Sequence, residues 1–323
     1  MEEKCDILFV PGGVFTTKFR PVVTMSQNLI PFELKELLRY GISLLTFKFF
    51  LLRFFQSVSF KKANGTIFLT QNAKDSVLKV TKSLKGDTSI IPHGIDKKFF
   101  QPPRPQDLIK EFSMEIPFQV LYVSNIEPYK HHHEVIDASV KLYNKGLPLV
   151  LKLIGSGNSS EIKRIKKKIN KVDPEGKIIK YIGFVSNDKI PSHYSSSNIF
   201  LFASSCENMP ITLMEAMASG VPIVCSDRGS MPEMLEESGE YFDPENSDSI
   251  SLAIQKMIES PELRAEKAKT AFEQAQRFSW TRCSTETFSF LSKILNDYKN
   301  ISLSEISQTT VSCIERQDGR IRL

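Results

Sequence analysis

The chain has 323 residues, 41% of them hydrophobic, and 42 Lys and Arg against 37 Asp and Glu give a formal net charge of +5. That excess is too small to argue for nucleic acid, and it suits an anionic substrate or an anionic membrane surface. Five scattered cysteines without a C-x-x-C, and no window reaching ~18 uncharged apolar residues, exclude a disulfide scaffold and a membrane span.

Met1–Asp6 is polar and the next apolar run is only Ile7–Val10, so no signal peptide is expected. Free thiols in a reducing cytoplasm follow. "DILFVPGG" (6–13) reads as a buried strand ended by a turn, "PVVTMSQN" (21–28) as a second strand, "GTIFLTQNAKDSVLKV" (65–80) as strand, turn and helix, and "TSIIPHGID" (88–96) as strand and turn. Between them, 44–60 is helical, with Leu44, Phe47, Phe50, Leu51, Phe54 and Val58 on one face. It reads as a core helix of this half; the alternative is a helix lying on a membrane surface, its basic groups against lipid phosphates.

Three prolines in the polar stretch 99–112 read as an interdomain linker. A second βα series follows. Strands are expected at 118–125, 148–158 (ending in a Gly-rich turn), 177–185, 198–205 and 221–227, and helices at 131–145, 161–172, 190–197, 211–219, 231–237, 247–259 and 262–276. The organisation predicted is α/β: a first unit at 1–98, a doubly wound unit at 113–280, a helix within 281–300 (285–297) that packs back across both, and a loose polar tail at 301–323.

The chemistry is expected where strand ends meet loops. Cys206–Pro210 follows the strand at 198–205, and Pro210 suits the entry to a short helix, Ile211–Ser219, stopped by Gly220 and Pro222. Thr212 is expected to help cap it. Its free N–H groups make an anion site, most naturally for a diphosphate. Glu207 before it and Glu215 inside it are good acceptors for sugar hydroxyls on either side of that diphosphate. Lys130, in the loop after the unit's first strand, reaches the same crevice as a point charge. Gly155 and Gly157 mark a close backbone turn, and Gly183-Phe184-Val185 is placed to offer backbone groups to a nucleobase. His131, His132 and His133 point three ways on a helix and read as no shared ligand set. His93 reads as a turn residue near the cleft. The basic back of 161–172 reads as a solvated face. No D-x-D occurs, and no His/Cys ligand spacing, so the picture needs no metal.

"CENMPITLMEAMASGVPIVCSD" resembles the E-x7-E region of retaining glycosyltransferase family 4, of the GT-B fold. "YVSNIEPYKHHHEVIDA", "LKLIGSG", "YIGFVSNDKIPSHYSSSNIFLFAS", "RGSMPEMLEESGEYFDPEN", "MSQNLIPFE" and "IPHGID" are similar to it as well, over roughly 5–295. The resemblance implies two Rossmann-like domains facing a cleft, and transfer of a hexose from a UDP- or GDP-linked donor, with no other cofactor, to a glycan or lipid-linked acceptor in surface polysaccharide or glycolipid assembly. It implies a cytoplasmic enzyme, with peripheral contact on the inner face of the membrane resting on 44–60. Glu207 would meet the donor sugar, Glu215 the ribose, Lys130 the diphosphate, and the N–H groups of Ile211 and Thr212 the distal phosphate. Asn125, Gly155, Gly183, Val185, Met209 and Pro210 would line the rest of the donor site.

Three departures accompany the resemblance. Asn125 stands where many members carry a phosphate-binding Arg. Gln27 is closest to a His near the sugar, and Gln is no general base. The first strand resembles one from the middle of the family's first domain, so that domain is expected to be shortened, with Val10's strand at its edge. The alternative function is a non-catalytic remnant that binds sugar nucleotides; a sugar-nucleotide epimerase fits less well, because it needs proton-transfer groups.

Overall fold

The computed structural model describes residues 5–318, with side chains described for residues 5–300. The apolar runs of the first half form β1 (Leu8–Val10), β2 (Val22–Met25), β3 (Gly65–Phe68) and β4 (Asp87–Ile90), all parallel and in sequence order. Leu8 faces Val22, Val23 faces Gly65, and Gly65 faces Asp87. Among the described strands β1 pairs with β2 alone and forms the edge. Val22, Val23, Ile67 and Phe68 are fully buried, as strands covered on both faces must be. Helices α1 (Leu34–Leu38), α2 (Leu44–Lys62) and α3 (Gln71–Thr81) fill the crossovers. Ser43 Oγ accepts from Thr46 N (3.2 Å) to cap α2, and Thr70 Oγ1 accepts from Ala73 N (3.1 Å) to cap α3.

Helix α2 corrects one expectation. It is not buried through Leu44, Phe47, Phe50, Leu51 and Phe54, which all face outward with Phe55. The buried side carries Thr46, Phe49, Gln56, Ser59 and Phe60. The helix is apolar nearly all round, so periodicity alone could not select the arc that meets the sheet.

In the second half β5 (Phe118–Val123), β6 (Leu149–Ile154), β7 (Ile179–Gly183), β8 (Ile199–Phe202), β9 (Ile223–Ser226) and β10 (Gly239–Phe242) form one parallel sheet in the order β10-β9-β8-β5-β6-β7. The chain therefore winds one way from β5 and the other way from β8. The two strands are neighbours, with Val120 opposite Ile199, and the crevice at their carboxyl ends is a topological switch point. Strand β10 was not expected from the sequence. "GEYF" is a four-residue edge strand with Glu240 and Tyr241 only half-buried, too short and too polar to register as an apolar run. Helices α4 (His132–Asn144), α5 (Ser159–Val172), α6 (Ile190–Ser195), α7 (Ile211–Ala218), α8 (Met231–Leu235), α9 (Ser247–Glu259) and α10 (Pro261–Ala275) pack on its faces. Ile165 and Ile169 of α5 are buried while its basic side is in solvent.

The segment after β4 is pinned to the second sheet's domain. Gln101 N donates to Ala218 O (3.0 Å), and the buried Arg264 donates to Met257 O, Ile258 O and Asp107 O. The last helix, α11, runs from Trp280 to Asp318. It starts before the expected 285 and continues through most of the expected loose tail, since no Gly or Pro interrupts 280–318; 319–323 lie outside the described residues. Phe290 and Ile294 of this helix lie against Gly65 of β3, and Lys293 pairs with Asp87 of β4. Among the described residues no helix is long and apolar enough to cross a membrane.

Candidate active site

Because β5 and β8 are parallel neighbours, the loops after them emerge side by side. A backbone bond ties them together, Ser205 N donating to Tyr129 O (2.9 Å), and the Tyr122 hydroxyl of β5 holds the first loop by donating to Lys130 O (2.8 Å). Lys130 ends a 3-10 turn, Pro128–Lys130, and is buried. Its ammonium pairs with the Glu207 carboxylate and lies over the rings of Tyr129 (5.2 Å) and Phe202 (5.1 Å). The two predicted catalytic residues, 77 positions apart, thus meet at the switch point.

Helix α7 begins just beyond. Pro210 is its N-cap and no side chain caps it, so Thr212 does not take the expected capping role; it sits at the second helical position, past the cap. The hydrogen bonds at this end go from Leu213 N and Met214 N to Pro210 O. The N–H groups of Ile211 and Thr212 point past the helix start, where an anion would sit. A cavity of about 250 Å³ opens there, lined by Gln27, His93, Tyr129, Glu207, Met209 and Ile211 among others.

Glu215 lies elsewhere. It is buried one turn inside α7 and accepts from Tyr194 OH (3.2 Å). Burial raises its carboxyl to about 7 although the Tyr194 hydroxyl opposes the shift. Asn125 is exposed on the loop after β5. Gly155 N donates to Gly183 O (2.8 Å), so the Gly183 carbonyl is already engaged, while Phe184 is exposed and Val185 half-buried. Each histidine of the 131–133 run has its own surroundings. His131 shares a hydrogen bond with Ser205 Oγ (2.9 Å), and His132 stacks on Tyr122 and meets Ser124 Oγ (3.2 Å). Burial, with Lys130 nearby, pushes His132 down to about 3.

The opposite wall comes from the first half of the chain. Thr70 Oγ1 donates to Asn208 O (2.9 Å), and Asn208 Nδ2 donates to Ser26 O (2.7 Å). Glu233 of α8 accepts from Gln71 N (2.7 Å) and Asn72 N (2.9 Å), capping α3 from the other domain. Glu245 pairs with Lys35 and Arg39, and Ser205 Oγ donates to Glu36 (2.6 Å). Sequence reasoning singled out none of Glu36, Tyr129, Tyr194 or Glu233. Only Glu233 left a trace, as an acidic residue after a proline at a helix start.

Comparison with known proteins agrees with this geometry. A family model described as "Glycosyl transferases group 1" matches residues 103–274. O-antigen chain mannosyltransferase B of Escherichia coli is 34% identical over 109 residues, covering 34% of this chain and 29% of that protein. The serotype-specific mannosyltransferase WbdA of Escherichia coli is 22% identical over 262 residues, covering 80% of this chain and 31% of that protein. The chain thus spans less than a third of the length of both curated relatives. The Anabaena protein HepE, solved in complex with UDP and glucose, superimposes with a TM-score of 0.68 at 22% identity, covering 84% of this chain and 72% of that one. That likeness establishes the fold, GT-B.

Proposed function

The chain belongs to the group 1 glycosyl transferases, whose model covers more than half of it, and on that basis we propose that it transfers a hexose from a nucleoside-diphosphate donor to a glycan or lipid-linked acceptor, with retention of configuration. One observation carries the reading: Glu207, paired with the buried Lys130, and Ile211 at the open start of α7 line one cavity at the switch point. Lys130 and the N–H groups of Ile211 and Thr212 hold the diphosphate, Glu207 accepts from hydroxyls of the donor sugar, and Glu215 takes the ribose. The leaving phosphate assists attack on the same face, and no D-x-D in the sequence calls for a bridging metal. The mannosyltransferase relatives support a surface-polysaccharide acceptor. The test is transfer and donor hydrolysis with UDP- and GDP-hexoses, with and without EDTA, reading the product anomer by NMR. Nucleotide binding without turnover would favour the binding-only alternative.

Donor binding is expected to depend on pH through Glu215. A carboxyl raised from 4.5 to about 7 stabilises the fold when protonated; that contribution is full below 4.5 and is lost as pH rises through 7. A ribose diol donates to the ionised form, so binding draws the proton off. Affinity for a UDP- or GDP-hexose should therefore rise roughly tenfold from pH 6 to pH 8. Calorimetry on Glu215→Gln should show that slope flattened; an unchanged slope would remove Glu215 from the ribose site.

Contact with a membrane surface is the second part of the reading. The outward arc of α2 carries Leu44, Phe47, Phe50, Leu51, Phe54 and Phe55. Lys48, Lys61 and Lys62 are exposed, and α2 holds no acidic residue, which complements anionic headgroups. Flotation with phosphatidylglycerol vesicles should carry the protein up, and phosphatidylcholine should do so less. Phe47→Ser, Phe50→Ser and Phe54→Ser together should cut binding at least about tenfold without lowering the melting temperature, because the three rings lie outside the core. Equal flotation of the triple variant would refute this face.

A further inference from the structure

His93 lies on the loop that leaves β4, and it lines the cavity with Glu207, Met209 and Ile211. Its backbone N–H donates to Met209 Sδ (3.1 Å), tying this loop to the residue two positions before α7. Its ring lies 5.4 Å from that of Trp280 at the start of α11. The two crossings between the domains therefore meet at His93.

The ring's protonation follows from its surroundings. Burial lowers the imidazole below its ordinary 6.5, so it is neutral and carries one N–H. Nδ1 is buried without a hydrogen-bond partner. A buried N–H with no acceptor is disfavoured more than an unshared lone pair in the same place. The proton therefore belongs on Nε2, the ring nitrogen that is not buried. The cleft meanwhile is short of donors for an anion: Lys130 is shared with Glu207, and the neutral Asn125 is exposed.

We infer that His93 Nε2–H donates to a non-bridging oxygen of the donor's distal phosphate, joining the N–H groups of Ile211 and Thr212 from the first domain. The inference rests on the nucleotide-sugar reading above and adds a binding residue on the first domain. It makes diphosphate recognition a property of both domains, so the phosphate itself helps hold the cleft closed.

Calorimetry with UDP and GDP, and with UMP and GMP, tests it. His93→Phe keeps a ring beside Trp280 and should weaken the diphosphate that the unaltered protein binds by roughly tenfold or more, while the matching monophosphate binds as before. His93→Gln places an amide nitrogen near the position of Nε2 and should recover most of the loss. Equal weakening of mono- and diphosphate, no weakening, or no recovery in His93→Gln overturns the inference and leaves the nucleotide reading standing. If the unaltered protein binds neither UDP nor GDP, the nucleotide reading fails and takes this inference with it.

Discussion

Lys130→Ala is expected to lower sugar transfer by about 100- to 1,000-fold, the range seen when one preorganised donor to developing charge is removed. The loss has two sources that must be separated. Lys130 is buried and paired with Glu207, so its removal also strands a carboxylate in a poorly solvated site. Breaking such a pair costs about 3–5 kcal/mol of stability. The double variant Lys130→Met with Glu207→Gln removes both charges and should regain most of that stability. It should not regain transfer if Lys130 and Glu207 hold the diphosphate and the sugar as proposed, because both contacts are then gone. Melting curves and initial rates on the three proteins read the two effects apart. Recovery of transfer together with stability would mean that the pair is only a scaffold. Lys130→Arg is expected to rescue little, since a planar fork does not fit where a compact ammonium lies over two rings.

The parts of the site that the sequence reveals are those built from short segments. The loop–helix junction at 206–220 is written in consecutive residues, with Pro210 before the helix and Gly220 after it, and the helix forms there without the expected Thr212 cap. Lys130 is legible because strand β5 and helix α4 bracket it. The strand reversal between β5 and β8 is different. It is a fact about neighbours 79 residues apart, like the Asn198–Gln119 bond beside it, and no local pattern encodes it. The same holds for Glu233, whose partners Gln71 and Asn72 lie more than 160 residues away. An acidic residue on a short helix carries no mark of which N-terminus it will cap. Helix α2 fails for the opposite reason. Its local signal is strong in every direction, so the sequence identifies a helix and leaves its orientation undecided. Arg264 was also invisible: a fully buried arginine is improbable until the carbonyls of 107, 257 and 258 are known to converge on it.

Gly155→Ala is the second large effect expected, and it acts on the same loops from below. Gly155 follows β6 with φ +144°, and a Cβ there would lie 1.9 Å from the carbonyl oxygen of Ser124. Ser124 cannot simply withdraw. Its N–H donates to Ile154 O (3.0 Å), Ile126 N donates to Ser156 O (2.9 Å), and Asn158 N donates to Ile126 O (3.2 Å), so the two loops are laced together. Tyr181 OH adds a bond to Gly155 O (3.1 Å). The substitution must break part of this lacing, at about 3 kcal/mol or more once backbone strain is included. A fall in melting temperature of about 5–10 °C is expected for a domain of this size. Gly183→Ala is the control: Gly183 also has positive φ (+81°), but a Cβ there meets nothing within 4 Å. It should lose only about 1 kcal/mol, from conformation alone. The difference between the two variants isolates the close approach of the loops. Because the Ser124–Lys130 loop carries the ammonium, Gly155→Ala should also weaken donor binding at temperatures where the protein is still folded, and Gly183→Ala should weaken it less. Matching losses in both variants would mean that backbone conformation, and not the contact with Ser124, is what these glycines supply.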